Sequence, residues 1–67
     1  MRDQMIQALR DHATAQIAKH KMNVEIYLTK SVGVGEHSDI METIEKEIGK
    51  IAEYHDQLEV LDNYFKD

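Results

Sequence analysis

Over residues 41–65, one line of positions recurs at alternating spacings of three and four: Met41, Ile44, Ile48, Ile51, His55, Leu58, Asp62 and Phe65. This is a heptad seam, in which the a and d positions of one helix face a partner helix. Ile40, Tyr54 and Leu61 add a g-position line beside it. A stripe three positions wide in every seven belongs to a globular bundle rather than to a two-stranded coil. The pattern predicts a helix over about 39–65. Gly49 falls at a b position, where it costs roughly 1 kcal/mol relative to Ala. It is either a tolerated surface glycine or a place where another backbone comes close.

The first half predicts a second helix, over about 2–30. Its main stripe is Ile6, Leu9, Ala13, Ile17, His20, Val24 and Leu28, and several members are spaced by eleven. Eleven residues in three turns lies close to the natural repeat, so this helix is expected to be nearly straight. Ala8, Ala15, Met22 and Ile26 lie on roughly the opposite face. Either the alanines sit in solvent while Met22 and Ile26 pack on the turn, or the line is a second contact face. Residues 23–28 also carry strand formers, but Val32-Gly33-Val34 is too short and glycine-rich to pair with them, so helix is retained.

Between the helices, residues 31–38 hold Gly33 and Gly35, which can supply the positive φ values needed to end one helix and reverse the chain. Ser38 or Asp39 can cap the second helix, and Asp39 with Glu42 has capping-box spacing. Glu36, Asp39 and Glu42 favour the positive end of the helix dipole. Two helices of similar length joined by a short connection predict an all-α antiparallel two-helix hairpin, a single domain over 1–67.

Size then changes the picture. With 67 residues, one core rarely supplies more than ~3–5 kcal/mol. The chain has no Cys and no Pro. Disulfides and thiolate zinc sites are excluded, and long unbroken helices are favoured. Oligomerisation remains, and two hairpins dimerising into a four-helix bundle would cover the stripes. The expected oligomer interface is Ile6, Leu9, Ile17, Val24, Met41, Ile44, Ile48, Ile51, Leu58, Leu61 and Phe65. On this reading Ile48→Asp would disperse the oligomer and unfold the chain by burying an unpaired charge.

The net charge of −5 is unevenly spread. Residues 1–30 carry five cations and three acids, net +2; residues 31–67 carry three cations and ten acids, net −7. The two halves should attract, with salt screening. The acidic half repels phosphate backbones, which argues against nucleic acid as a partner. No apolar run approaches the ~18 residues of a membrane span, and Met1-Arg2-Asp3-Gln4 leads into no apolar signal core. A soluble protein without membrane association, in the cytoplasm or a virion, is expected.

Four histidines, His12, His20, His37 and His55, are the conspicuous candidate ligands. A hairpin turning near residue 34 would set His12 opposite His55, with Asp11 and Asp56 beside them, a donor set suited to zinc or another transition metal. The plainer account is a polar layer in which His20 and His55 fix register. No cofactor is expected. A basic group of Arg2, Arg10, Lys19 and Lys21 with His12 and His20 could touch RNA, but Lys19 and Lys21 project to different sides and no aromatic interleaves them. Gly33-Val34-Gly35 lacks the Lys-Ser/Thr that follows a phosphate loop, and a helix-hairpin turn accounts for it. The acids of the second helix have no concave site to hold them, which leaves catalysis without a framework.

Taken together, residues 23–28, the turn residues 32–37, the stretch 39–47 and the tail carrying Ile51, Ala52, Glu53, Tyr54, Leu58, Glu59, Val60, Leu61, Tyr64 and Phe65 resemble small uncharacterised proteins of tailed phages of marine cyanobacteria and ocean metagenomes. The similarity covers roughly residues 12–65. It implies a phage or marine-microbial setting and carries no activity or functional residues with it. The expected function is a non-enzymatic interaction or assembly protein: a homodimer, or a phage accessory factor that binds a host or phage protein. A nucleic-acid-binding hairpin dimer and a histidine-based metal-binding bundle are the alternatives.

Overall fold

A computed structural model of the chain describes residues 1–30 and 37–66, with side chains for 1–29 and 39–66. The turn containing Gly33 and Gly35, the proposed Ser38 cap and the side chain of His37 lie outside the described residues. Two helices form the fold, α1 (Arg2–Lys30) and α2 (His37–Tyr64). The helix expected through residues 23–28 is present, and just beyond them Thr29 Oγ1 donates back to the carbonyl of Glu25 at 3.0 Å. A β-branched residue satisfied this way costs the helix little. α2 begins at His37, two residues before the expected start, which places Asp39 inside its first turn. There its charge still meets the positive end of the dipole.

The helices run antiparallel as a rod of 51 × 15 × 12 Å. Contacts at three levels fix the register. Arg2 Nη2 donates to the carbonyl of Phe65 at 3.0 Å, the His12 ring meets Tyr54, and His20 meets Glu47. The paired residue numbers therefore sum to about 67, as expected for a hairpin turning near residue 34.

Only part of each apolar stripe is used between the two helices. On α1 the inward positions are Ile6, Arg10, Ala13, Ile17, His20 and Val24; on α2 they are Ile40, Ile44, Glu47, Ile51, Tyr54, Leu58 and Leu61. Both sets repeat every seven residues, the geometry of coiled-coil packing. The expected α1 stripe packs through Ile6, Ala13, Ile17, His20 and Val24 but not at Leu9 and Leu28, which are exposed; Arg10 holds the position between Ile6 and Ala13. Ala13 is wholly buried, and Ile44 and Leu61 are the other buried hydrophobic residues among those described. A residue with no side chain beyond Cβ, placed level with the large ring of Tyr54, lets the two backbones approach.

Gly49 has nothing within 4 Å of where a Cβ would stand. It is a surface glycine in this chain, and no close approach of α1 requires it. Among the described residues, no helix is long and apolar enough to cross a membrane.

Candidate interaction surface

Helical periodicity decides what the hairpin leaves open. The α2 seam that faces α1 is the g and d pair of lines, and the a line lies outside it. Of the a positions, Met41 is 62% exposed and Ile48 is 51% exposed, and His55 and Asp62 also reach solvent. The expected interface thus divides in two. Ile6, Ile17, Val24, Ile44, Ile51, Leu58 and Leu61 pack in or beside the intrachain seam, while Leu9, Met41, Ile48 and Phe65 remain exposed. The half-exposed Ile48 corrects one expectation: an Asp at that position keeps its carboxylate in water within the hairpin, so loss of the intrachain fold does not follow.

The hairpin has two long edges of different character. One is marked by the ion pair of Arg10 Nη1 with Asp62 Oδ1, at 2.6 Å. Leu28 lies 18 residues beyond Arg10, five whole turns, and so on the same line of α1. Ile48 and Met41 lie two and three heptads before Asp62, on its line of α2 with a modest drift. Leu28, Met41 and Ile48 therefore stand exposed along the turn-proximal half of this edge, with Lys21 on the line of Arg10 among them and Ile44 behind. The other half is polar, with Arg10, Asp62, Asp3 and Glu59. A cleft of ≈ 200 Å³ at its open end is bounded by Arg2, Asp3, Ile6, Gln7, Arg10, Phe65 and Lys66. Arg2 there sits 3.7 Å from Asp3 and bonds the Phe65 carbonyl, and Arg10 is held by Asp62.

The opposite edge carries a groove of ≈ 210 Å³ formed by Leu9, Asp56, Gln57, Val60 and Leu61. Its middle stretch is polar, with Gln16, Asn23, Glu47 and Lys50. Here lies the one buried polar residue among those described, His20. Its Nδ1 is 2.7 Å from Oε1 of Glu47, and Asn23 Nδ2 donates to the same oxygen at 2.8 Å. An ionised carboxylate only accepts, so His20 Nδ1 carries the hydrogen. These bonds, from His20 first and Asn23 second, hold the Glu47 carboxyl below its ordinary value; partial burial opposes them, and the charges of His20 and Lys19 assist.

A carboxyl depressed in the folded state stabilises the fold above its unfolded pKa, and that stability is lost as pH falls through the folded value. The melting temperature of the chain should therefore drop below pH ~4.3. Glu47→Gln, which keeps an acceptor for both neighbours, should flatten that part of the acid limb. Equal acid limbs in the two proteins would refute the linkage.

The expected polar layer is thus half present. His20 lies in the seam, whereas His55 is exposed and pairs along its own helix with Glu59 at 3.4 Å. His12 does not meet His55; its ring packs edge-on against Tyr54, with centroids 5.6 Å apart. The cause is the seam register, since His55 is an a position and Tyr54 a g position. Among the described residues no group of three or more His, Cys, Asp or Glu could hold a metal ion. Asn23 and Glu47 are the members that sequence reasoning missed. An acid on the line Ile40, Glu47, Tyr54, Leu61 is the signal that could have found the second.

Two further positions bear on α1. Met22 is 60% and Ile26 44% exposed, so the face opposite the seam remains open. Lys19 acts on Glu47 at one edge, and Lys21, two residues on, turns toward the other, so these two lysines share no face. No family model, no curated protein and no solved structure matches this chain.

Proposed function

We propose that the chain is a non-enzymatic interaction or assembly protein whose first partner is a second copy of itself. The observation that carries this reading is the imbalance between buried and exposed apolar side chains. Among the described residues, three hydrophobic residues are buried and no large side chain is completely so, while twelve large hydrophobic residues stand exposed. A compact protein of 7.8 kDa presents about 4,400 Å² to solvent, against 5312 Å² for this hairpin. The excess is of the order of one side of a standard interface, about 800 Å². Its radius of gyration of 15.5 Å likewise exceeds the ~11 Å of a globular chain of this length. Both values support a hairpin that packs against a second copy.

From the resemblance of the sequence to small phage proteins we further propose a setting in the host cytoplasm or a virion, with the assembled hairpin serving as an accessory factor that docks on a host or phage protein. Light scattering coupled to size exclusion, across a range of concentrations, tests the reading. The expected mass is twice the 7.8 kDa of the chain. A mass of one chain at every concentration would overturn self-assembly and leave the apolar edges to a different protein.

A further inference from the structure

The geometry points to a specific dimer: two hairpins joined through the edge that carries Met41, Ile48 and Leu28, with both turns at the same end of the bundle. This deepens the self-assembly reading and rests on it.

Three observations select the arrangement. The first is the composition of the two edges. Behind Leu28, Met41 and Ile48 stand Ile17, Val24, Ile44 and Ile51, so a partner laid on this edge meets a mainly aliphatic surface over its turn-proximal half, interrupted by exposed Lys21 on the line of Arg10 and exposed Glu45 on the line of Glu59, whose long side chains can keep their charges in water at the rim. On the opposite edge the middle is Gln16, Asn23, Glu47 and Lys50. A partner there would have to remove Lys50 and the acceptor of His20 from water, which is costly for charged groups.

The second is the placement of the patch along the rod. It covers only the half nearer the turn, and the Arg10–Asp62 pair with Asp3 and Glu59 covers the rest. A two-fold contact is self-complementary, so each patch must meet its own copy. With the turns together, Met41 and Ile48 of one hairpin lie level with Met41 and Ile48 of the other, and the ion pairs lie level at the open end. With the turns apart, the same aliphatic side chains would rest on Arg10, Asp62 and Glu59.

The third is charge. α1 carries five cations and three acids, and α2 two cations and eight acids. In a bundle whose neighbours are all antiparallel, turns at the same end place each α2 between two α1 helices. Turns at opposite ends place α2 beside α2, at a net charge of −6 each. Like charges along facing helices disfavour that pairing, most strongly at low salt.

The chain contains no cysteine, so a single introduced thiol reports the geometry cleanly. Asn63→Cys, exposed near the open end, would be spin-labelled and the distance between labels in the dimer measured by double electron–electron resonance. Turns together predict roughly 25 Å or less, the width of two neighbouring hairpins. Turns apart predict roughly 40 Å, because the labels would lie at opposite ends of helices rising ~1.5 Å per residue. The face is read separately by mass. Ile48→Asp should convert the dimer to single chains that keep their helical circular dichroism, and Leu9→Asp, on the other edge, should leave the dimer intact. Met41→Lys reads the same face should Ile48→Asp lose its helix.

A label distance near 40 Å overturns the turn-together arrangement, and a dimer that survives both Ile48→Asp and Met41→Lys, or is lost in Leu9→Asp, overturns the face. A wild-type protein of one-chain mass overturns the self-assembly reading itself, before either variant is needed.

Discussion

Ala13→Asp should leave the chain largely unfolded at neutral pH and 25 °C, with the helical circular dichroism signal lost rather than shifted in melting temperature. Among the described residues Ala13 is the one completely buried side chain, on the inward line of α1. A carboxylate there has no cation level with it; across the seam at that height stands Tyr54, already in contact with the His12 ring. Burying an unpaired charge costs about 3–5 kcal/mol, and a fold of this size has about that much stability in total. The matched control is Ala13→Ser. Its hydroxyl can bond back to the carbonyl of Leu9, one turn earlier, and the expected loss is about 1 kcal/mol. If Ala13→Asp folds as stably as Ala13→Ser, the burial of Ala13 against α2 is wrong.

What the sequence conveys about this molecule, and what it withholds, both follow from the width of the apolar face on α2. The existence of two helices, their lengths and the hairpin are legible because seven-residue periodicity runs uninterrupted by Pro from Ile40 to Leu61, and because a two-glycine connection separates similar lengths of helix. The choice of seam is not legible to the same degree. The lines through Met41 and Ile48, through Ile40 and Leu61, and through Ile44 and Ile51 are all apolar near the start of α2. Periodicity says that α2 has a broad apolar face and does not say which two lines face α1. The choice falls to the far end of the helix. There the a line becomes His55 and Asp62, while the g line offers Tyr54 and Leu61, and burying the latter pair costs no charge.

The same logic explains the histidines. A cross-helix pairing drawn from residue numbers alone sets His12 level with His55, which is correct in height. Height does not fix azimuth, and one residue of rotation, 100° in a helix, substitutes Tyr54 for His55. His20 was identifiable because it falls on the inward line under either seam. Its partners were less visible, since Glu47 looks like one more acid on an acidic helix until the g line is recognised as internal. On α1 the alternatives Leu9 and Arg10 follow the same pattern. The apolar residue is left outside and the cation is drawn in, because Asp62 stands within 2.6 Å to receive it.

Ile44 and Ile48 provide the sharpest test of that register, since they are the same residue type one turn apart on one helix. Ile44 is 8% exposed and Ile48 51%. Ile44→Ala removes buried methylene groups from the intrachain seam, an effect of about 2–4 kcal/mol, and should appear at every protein concentration because the contact lies within one chain. Ile48→Ala removes a side chain that the single hairpin half covers, and its cost to an isolated chain is about 1 kcal/mol. In the proposed dimer the same side chain would be fully enclosed. Its loss should then grow with concentration, because a partner that binds only the folded state stabilises it by mass action. Thermal melts of the two variants and the wild type over a hundredfold range of concentration separate these cases. Ile44→Ala should shift the whole curve of melting temperature against concentration downward, and Ile48→Ala should flatten its slope. The reverse assignment, a flat slope in Ile44→Ala and a uniform drop in Ile48→Ala, would place the a line against α1 and return the interface to the g line.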